Sequence, residues 1–321
     1  MIKLVKIYDR LIQFNTHHKR EIRIFASIIW ISLLIFILWN SWRLREEIWP
    51  YIQQASLATL GWGLVYYLMT LVFAVLCWAS IMGSFHKNIT LWEHIKIYLT
   101  TMVARRLPGS VWYIGGRMML YKRSGVSQIK TASASSVELL VSFIANCVVG
   151  LALIPFGLKL DPLFMIPLAA VIVVGLVVLW PKNLAAIMNR LNRPLSEPIS
   201  FGRPVLWLLL RSGNIFFGGL LIAQLYQVFQ PVNVDQYLLI IGARAVSGAA
   251  GMLTLFLPNS FGASDITLAA MLSTMLPITL AALVAIAFRM LTTLFEVLFG
   301  IVFYFLFKTS FGFDLKDQTQ G

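Results

Sequence analysis

Apolar runs of about the 20 residues needed to cross a ~30 Å hydrocarbon core dominate the chain. They are Ile24 to Trp42, Leu57 to Met82, Val137 to Phe156, Pro162 to Trp180, Val205 to Phe229 and Leu280 to Phe307, and they predict six membrane-spanning helices. Two further apolar stretches, Trp92 to Leu120 and Gln236 to Met275, are interrupted by the similar sequences Leu107-Pro108-Gly109-Ser110 and Leu257-Pro258-Asn259-Ser260. Proline removes a backbone donor and breaks helix geometry, and Gly or Asn tolerates unusual dihedrals, so each break exposes polar backbone that lipid cannot satisfy. At membrane depth such backbone persists only where protein buries it or where it lines a wet cavity. A pair of breaks at corresponding positions of two halves points to a transport site.

Composition agrees with the pattern: 321 residues, 59% hydrophobic, 12% charged, with a mean hydropathy of +0.81. These values describe a polytopic membrane protein. A basic segment precedes the first run, but that run is too long for a signal peptide and lacks a small-x-small cleavage pattern, so it reads as a retained anchor. Cys77 and Cys147 lie inside apolar runs, which suggests packed thiols and neither a disulfide framework nor a thiolate metal cluster.

The net charge of +13 is distributed by loop. Residues 1–23, 86–130 and 181–203 hold eighteen Lys/Arg against four acidic residues, while the rest of the chain holds eight against nine. The positive-inside rule assigns those three segments to the cytoplasm. Charge that follows loop alternation, with no single basic patch on a soluble domain, argues against nucleic-acid binding. If Trp92 to Leu120 crossed fully, Lys87 and Lys122/Arg123 would fall on opposite faces, so a re-entrant hairpin entering and leaving on the cytoplasmic side fits better. Three spans then separate it from the second break, which places the second hairpin on the opposite face.

The predicted fold is therefore all-α: six full spans plus two oppositely directed re-entrant hairpins, arranged as an inverted repeat, with both termini cytoplasmic. Counting the hairpin arms as spans gives seven or eight helices instead. In this reading residues 1–23 form a basic cytoplasmic N-terminus and 24–180 a first membrane half with its hairpin near 92–120. Residues 181–204 are a cytoplasmic linker, 205–308 a second half with its hairpin near 236–275, and 309–321 a C-terminal tail. No polar stretch is long enough to build a separate core.

Around the first break, Arg105, Arg106, Pro108, Gly109, Ser110, Trp112, Tyr113 and Arg117 combine cations, open backbone and interfacial aromatics, a set suited to a lipid phosphate. Ionisable residues inside apolar helices cost about 2.5–3.5 kcal/mol each on insertion scales unless paired or solvated. Glu138, Arg211, Arg244, Arg289 and Glu296 are of this kind, with Asp265 in the second hairpin. Arg289 and Glu296 share a helix face but sit ~10 Å apart along the axis, so each needs a partner elsewhere. With Pro258 and Asn259 they are candidates to line a cavity, whereas Glu138 and Arg211 could instead reach the interface. The small-residue run Gly242 to Gly251 suits close helix packing. Signatures of zinc proteases, serine hydrolases, P-loops and Asp-x-Asp transferases are missing, His17, His18, His86 and His94 lack ligand spacing, and no enzyme activity, cofactor or metal is expected.

The order of these motifs resembles the lysylphosphatidylglycerol synthase transmembrane family. Basic-Leu-Pro-Gly-Ser, Gly115-Gly116-Arg117, Arg123-Ser-Gly125-Val126-Ser127 and a Ser/Ala-rich helix bearing Glu138 are similar to its first half. Leu257-Pro-Asn-Ser-Phe-Gly262-Ala-Ser-Asp265, followed by Arg289, is similar to its second, with Asp265 where many relatives carry an acidic residue, often Glu. The resemblance covers about residues 24 to 308. It implies the membrane module without the soluble synthase domain, acting as an inner-membrane, flippase-like translocator of an anionic or aminoacylated phospholipid or lipid-linked headgroup. The alternative is a non-transporting scaffold for a partner enzyme of lipid or sugar modification.

Overall fold

The computed structural model describes residues 57–102, 104, 112–156, 162–191, 195, 198–254 and 262–307. The run Ile24 to Trp42, both Leu-Pro breaks and the two ends of the chain lie outside the described residues.

Ten α-helices make up the described residues: α1 (Leu57–Gly83), α2 (Leu91–Met102), α3 (Trp112–Arg123), α4 (Gln128–Leu153), α5 (Pro162–Leu179), α6 (Pro181–Arg190), α7 (Gly202–Tyr226), α8 (Val234–Leu253), α9 (Ala263–Leu272) and α10 (Ile278–Phe307). Five of them, α1, α4, α7, α8 and α10, are long and apolar enough to cross a membrane; α5 and α6, bent by 71°, make a sixth if taken as one broken span. Pro181 at the first position of α6 explains the bend, since proline begins a helix readily and cannot continue one. The protein is an all-α, multi-pass membrane protein. Its surface inverts the soluble pattern: Leu64, Leu68, Val72, Leu294, Leu298 and Ile301 face outward, whereas Arg117, Glu138, Ser135 and Asn146 are buried. Outward apolar stripes with polar groups turned inward are what lipid on the outside demands.

The motif Arg123-Ser-Gly-Val-Ser127 has a local explanation. Gly125 takes a left-handed φ of +79°. This lets the amides of Gly125 and Val126 donate back to the carbonyls of Lys122 and Tyr121, closing α3 in a Schellman turn. Ser127 then caps α4 by accepting from the Lys130 amide.

Two sets of helices repeat. Each consists of a long helix, a hairpin and a second long helix: α1, α2/α3, α4 and then α7, α8/α9, α10. The lead helices α1 and α7 run antiparallel, with Gly63 beside Leu221, Asn214 donating to the Thr70 carbonyl at 2.8 Å, and Trp207 Nε1 donating to Ser80 Oγ at 3.0 Å. Arg203 Nη1 donating to Ser84 Oγ at 2.9 Å completes the ladder. Exchanging the sets preserves the packing: α2 of the first set packs on α10, as α8 of the second packs on α4.

The two hairpins differ in helix length. The first consists of two twelve-residue helices, each about 18 Å long at 1.5 Å per residue, too short to span. They are antiparallel, His94 meeting Tyr121 and Gly116 approaching Thr101. In the second, α9 has ten residues but α8 has twenty, about 30 Å. On this arm the structure departs from the expected part-depth hairpin and follows the alternative count of spans. Asn233 and Gln236 close a reciprocal capping box at the start of this helix, which then runs unbroken to Leu253. The small-residue run on α8 serves close approach, since Gly242 lies against Leu153 and Ile154, Gly150 against Val246, and Gly251 against Ser264.

Candidate functional site

A cavity of about 270 Å³ opens between the two helix sets. Regular spacing on each helix builds its wall. From α1 come Tyr67, Thr70, Leu71 and Ala74, from α7 Arg211, Asn214, Gly218 and Leu221, and from α10 Phe288, Arg289, Thr292 and Glu296, each set following helical periodicity. Tyr98 and Met102 at the end of α2, Arg244 on α8, and Ser264 with Asp265 at the start of α9 complete it. Met102 and Ser264 stand close in sequence to the two Leu-Pro breaks, so the helices flanking both breaks converge on one space.

Charge concentrates here. Arg289 Nη1 is ion-paired with Asp265 Oδ2, linking α10 to α9, and both side chains are 24% exposed. The guanidinium of Arg244 lies 5.7 Å from the centre of the Phe288 ring. Two glycines leave room for it: a Cβ at Gly218 would come within 3.2 Å of its Nε, and one at Gly248 within 3.0 Å of its Nη1. Arg211 has a buried Nε without a hydrogen-bond partner among the described residues. Three arginines and two carboxylates therefore line the cavity, a formal excess of one positive charge among the described lining residues.

The corresponding ion pair of the first half is buried. Arg117 on α3 donates to Glu138 Oε2 on α4 at 2.6 Å, and both residues are buried. The guanidinium carbon of Arg117 stands 4.0 Å from the Trp78 ring centre, 4.4 Å from Tyr98 and 5.1 Å from Tyr113, so aromatic faces replace water around it. Trp78 Nε1 donates to Tyr121 Oη at 2.7 Å, and that hydroxyl also bonds His94 Nδ1 at 2.6 Å.

Of the residues expected from sequence, the structure brings Arg244, Asp265, Arg289 and Glu296 together in the cavity. Glu138 and Arg117 do not line it; they bind each other in the buried first-half cluster. Arg105, Arg106, Pro108, Gly109, Ser110, Pro258 and Asn259 lie outside the described residues. Sequence reasoning missed Tyr67, Thr70, Asn214, Ser264 and Thr292 as lining groups and left Arg211 between cavity and interface. The signal available was the polar stripe Arg211, Asn214, Gly218 on an otherwise apolar helix. Among the described residues no group of three His, Cys, Asp or Glu could hold a metal ion, and Cys77 and Cys147 are buried free thiols. Comparison with known proteins finds no matching family model and no match among curated proteins.

Proposed function

We propose that this protein is a lipid translocator that carries the headgroup of an anionic phospholipid or lipid-linked compound between membrane leaflets through the cavity between α1, α7 and α10. The observation that carries the reading is the cavity itself: five charged side chains gathered between helices whose outer faces are apolar. Each such charge is costly in a bilayer, so a cluster of five around open space serves something that enters it. The volume of about 270 Å³ supports a headgroup without its acyl chains, since it falls just below the range of small-ligand pockets. The chains remain in the bilayer against the apolar outer faces.

Alternating access follows from the inverted halves. The second-half pair, Asp265 with Arg289, lines the cavity, while the first-half pair, Arg117 with Glu138, is enclosed. Exchanging these roles moves the opening from one face to the other, as in transporters built from inverted repeats. Loop charge supports an inner-membrane location with both termini cytoplasmic.

The test is reconstitution. In sealed proteoliposomes, fluorescent anionic phospholipid should change leaflets when the protein is present and not in protein-free vesicles. A failure to move any anionic phospholipid or lipid-linked phosphate overturns the reading, and co-purification with a lipid- or glycan-modifying enzyme then favours a scaffold.

A further inference from the structure

Arg211 occupies a position on α7 whose neighbours are used to hold α1. Trp207, one turn before it, donates to Ser80 Oγ at 3.0 Å, and Asn214, one turn after it, donates to the Thr70 carbonyl at 2.8 Å. The antiparallel register between those two bonds sets Arg211 at the level of Ala74, a small residue that lines the cavity with it. Among the described residues no hydrogen bond, ion pair or ring contact holds the guanidinium, and its Nε is buried. Arg289, by contrast, is ion-paired with Asp265, and Arg244 stands over the Phe288 ring. Arg211 lies about 14 Å along a helix roughly 38 Å long, well inside the span and away from its ends. An arginine at such a depth works against the fold unless it is paired or solvated.

We propose that Arg211 is the anion-binding group of the cavity, its charge left open by the protein so that an entering phosphate oxyanion pairs with it. The inference rests on the reading of the cavity as a substrate site and names the residue that the substrate's phosphate meets. A guanidinium matches phosphate oxygens in geometry and stays charged at every working pH. The oxyanion can belong to a lipid headgroup or to a soluble phosphodiester; the chemistry recognised is the same. A side chain kept for a ligand has an energetic signature opposite to that of a structural one. Replacing it by an apolar residue of similar length removes ligand binding and leaves the empty protein at least as stable.

The experiment joins equilibrium binding and thermal unfolding of the full chain in detergent, without any transport step. The probes are short-chain phosphatidylglycerol, water-soluble glycerophosphoglycerol and a short-chain diacylglycerol, which lacks the phosphate. Phosphatidylglycerol should bind more tightly than the diacylglycerol and raise the melting temperature. Arg211→Met should weaken phosphatidylglycerol binding about 10- to 100-fold, the range of a charged hydrogen bond, while the ligand-free variant melts no lower than the unaltered protein. Arg211→Lys, which keeps the charge and loses the planar fork, should fall between the two. Phosphatidylglycerol bound more tightly than glycerophosphoglycerol supports the site with a lipid as its source; binding no tighter supports it with a soluble one.

Equal binding of phosphatidylglycerol and diacylglycerol to the unaltered protein overturns the proposal, as does the absence of binding by either phosphate probe. So does unchanged phosphatidylglycerol binding in Arg211→Met. An Arg211→Met protein that fails to fold, or that melts well below the unaltered one, also overturns it, because the arginine is then part of the fold. Arginine-dependent binding in a protein that moves no lipid keeps the anion site and removes the transport reading; lipid transport that Arg211→Met leaves unchanged does the reverse.

Discussion

Arg117 and Arg289 belong to two similar ion pairs that differ in burial. Arg117 and Glu138 are both almost inaccessible, so removing one partner strands the other charge in the interior. Arg117→Ala should destabilise the protein by about 3–5 kcal/mol, read as a loss of thermal or denaturant stability in detergent. Asp265 and Arg289 are a quarter exposed, so loss of either strands a partner that is less desolvated. Asp265→Asn should therefore cost about 1 kcal/mol or less in the same unfolding measurement while suppressing transport. Equal destabilisation by the two substitutions would contradict this division. At this scale sequence was informative about residue type and weak about partners. An arginine or glutamate in an apolar run is visible at once, and the seven-residue spacing correctly put Arg289 and Glu296 on one face. That Arg289 meets Asp265, and that Glu138 meets Arg117, depends on how a hairpin folds back on the next helix, which periodicity within one helix does not encode.

The elements repeat with a sign change. In the first set the second hairpin arm carries the cation, Arg117, and the following span the anion, Glu138; in the second set the arm carries Asp265 and the span Arg289. Exchange of the halves thus preserves an ion pair at the corresponding place and reverses its polarity. The junctions that let the sets pack are glycines. A Cβ at Gly219 would lie 2.7 Å from the Ile241 Cα, a backbone atom that cannot swing away, so Gly219→Ala must push α7 from α8. The expected loss is about 1–3 kcal/mol of stability, measurable by thermal unfolding, whereas Gly61→Ala, with nothing within 4 Å, should be neutral or stabilise by up to about 1 kcal/mol. The spans α1, α4, α7 and α10 were legible from apolar runs. The full length of α8 was not, because the Leu-Pro break suggests two short arms where Val234–Leu253 is one continuous helix.

Among the described helices, antiparallel α1 and α7 form the most extensively packed pair, and the cavity lies along it with both broken segments close by in sequence. Hydropathy and charge alternation conveyed the class of protein and the existence of two halves. They did not convey where the halves meet, because that surface is made by residues far apart in the chain, such as Thr70, Asn214 and Glu296. The most direct measurement is the rate at which fluorescent short-chain phosphatidylglycerol becomes inaccessible to an external quencher in sealed proteoliposomes, compared between the unaltered protein and Arg289→Ala. The account predicts transfer well above protein-free vesicles for the unaltered chain and a fall to the protein-free rate for Arg289→Ala at equal incorporation. Equal rates for the two proteins, or no transfer by either, would contradict it.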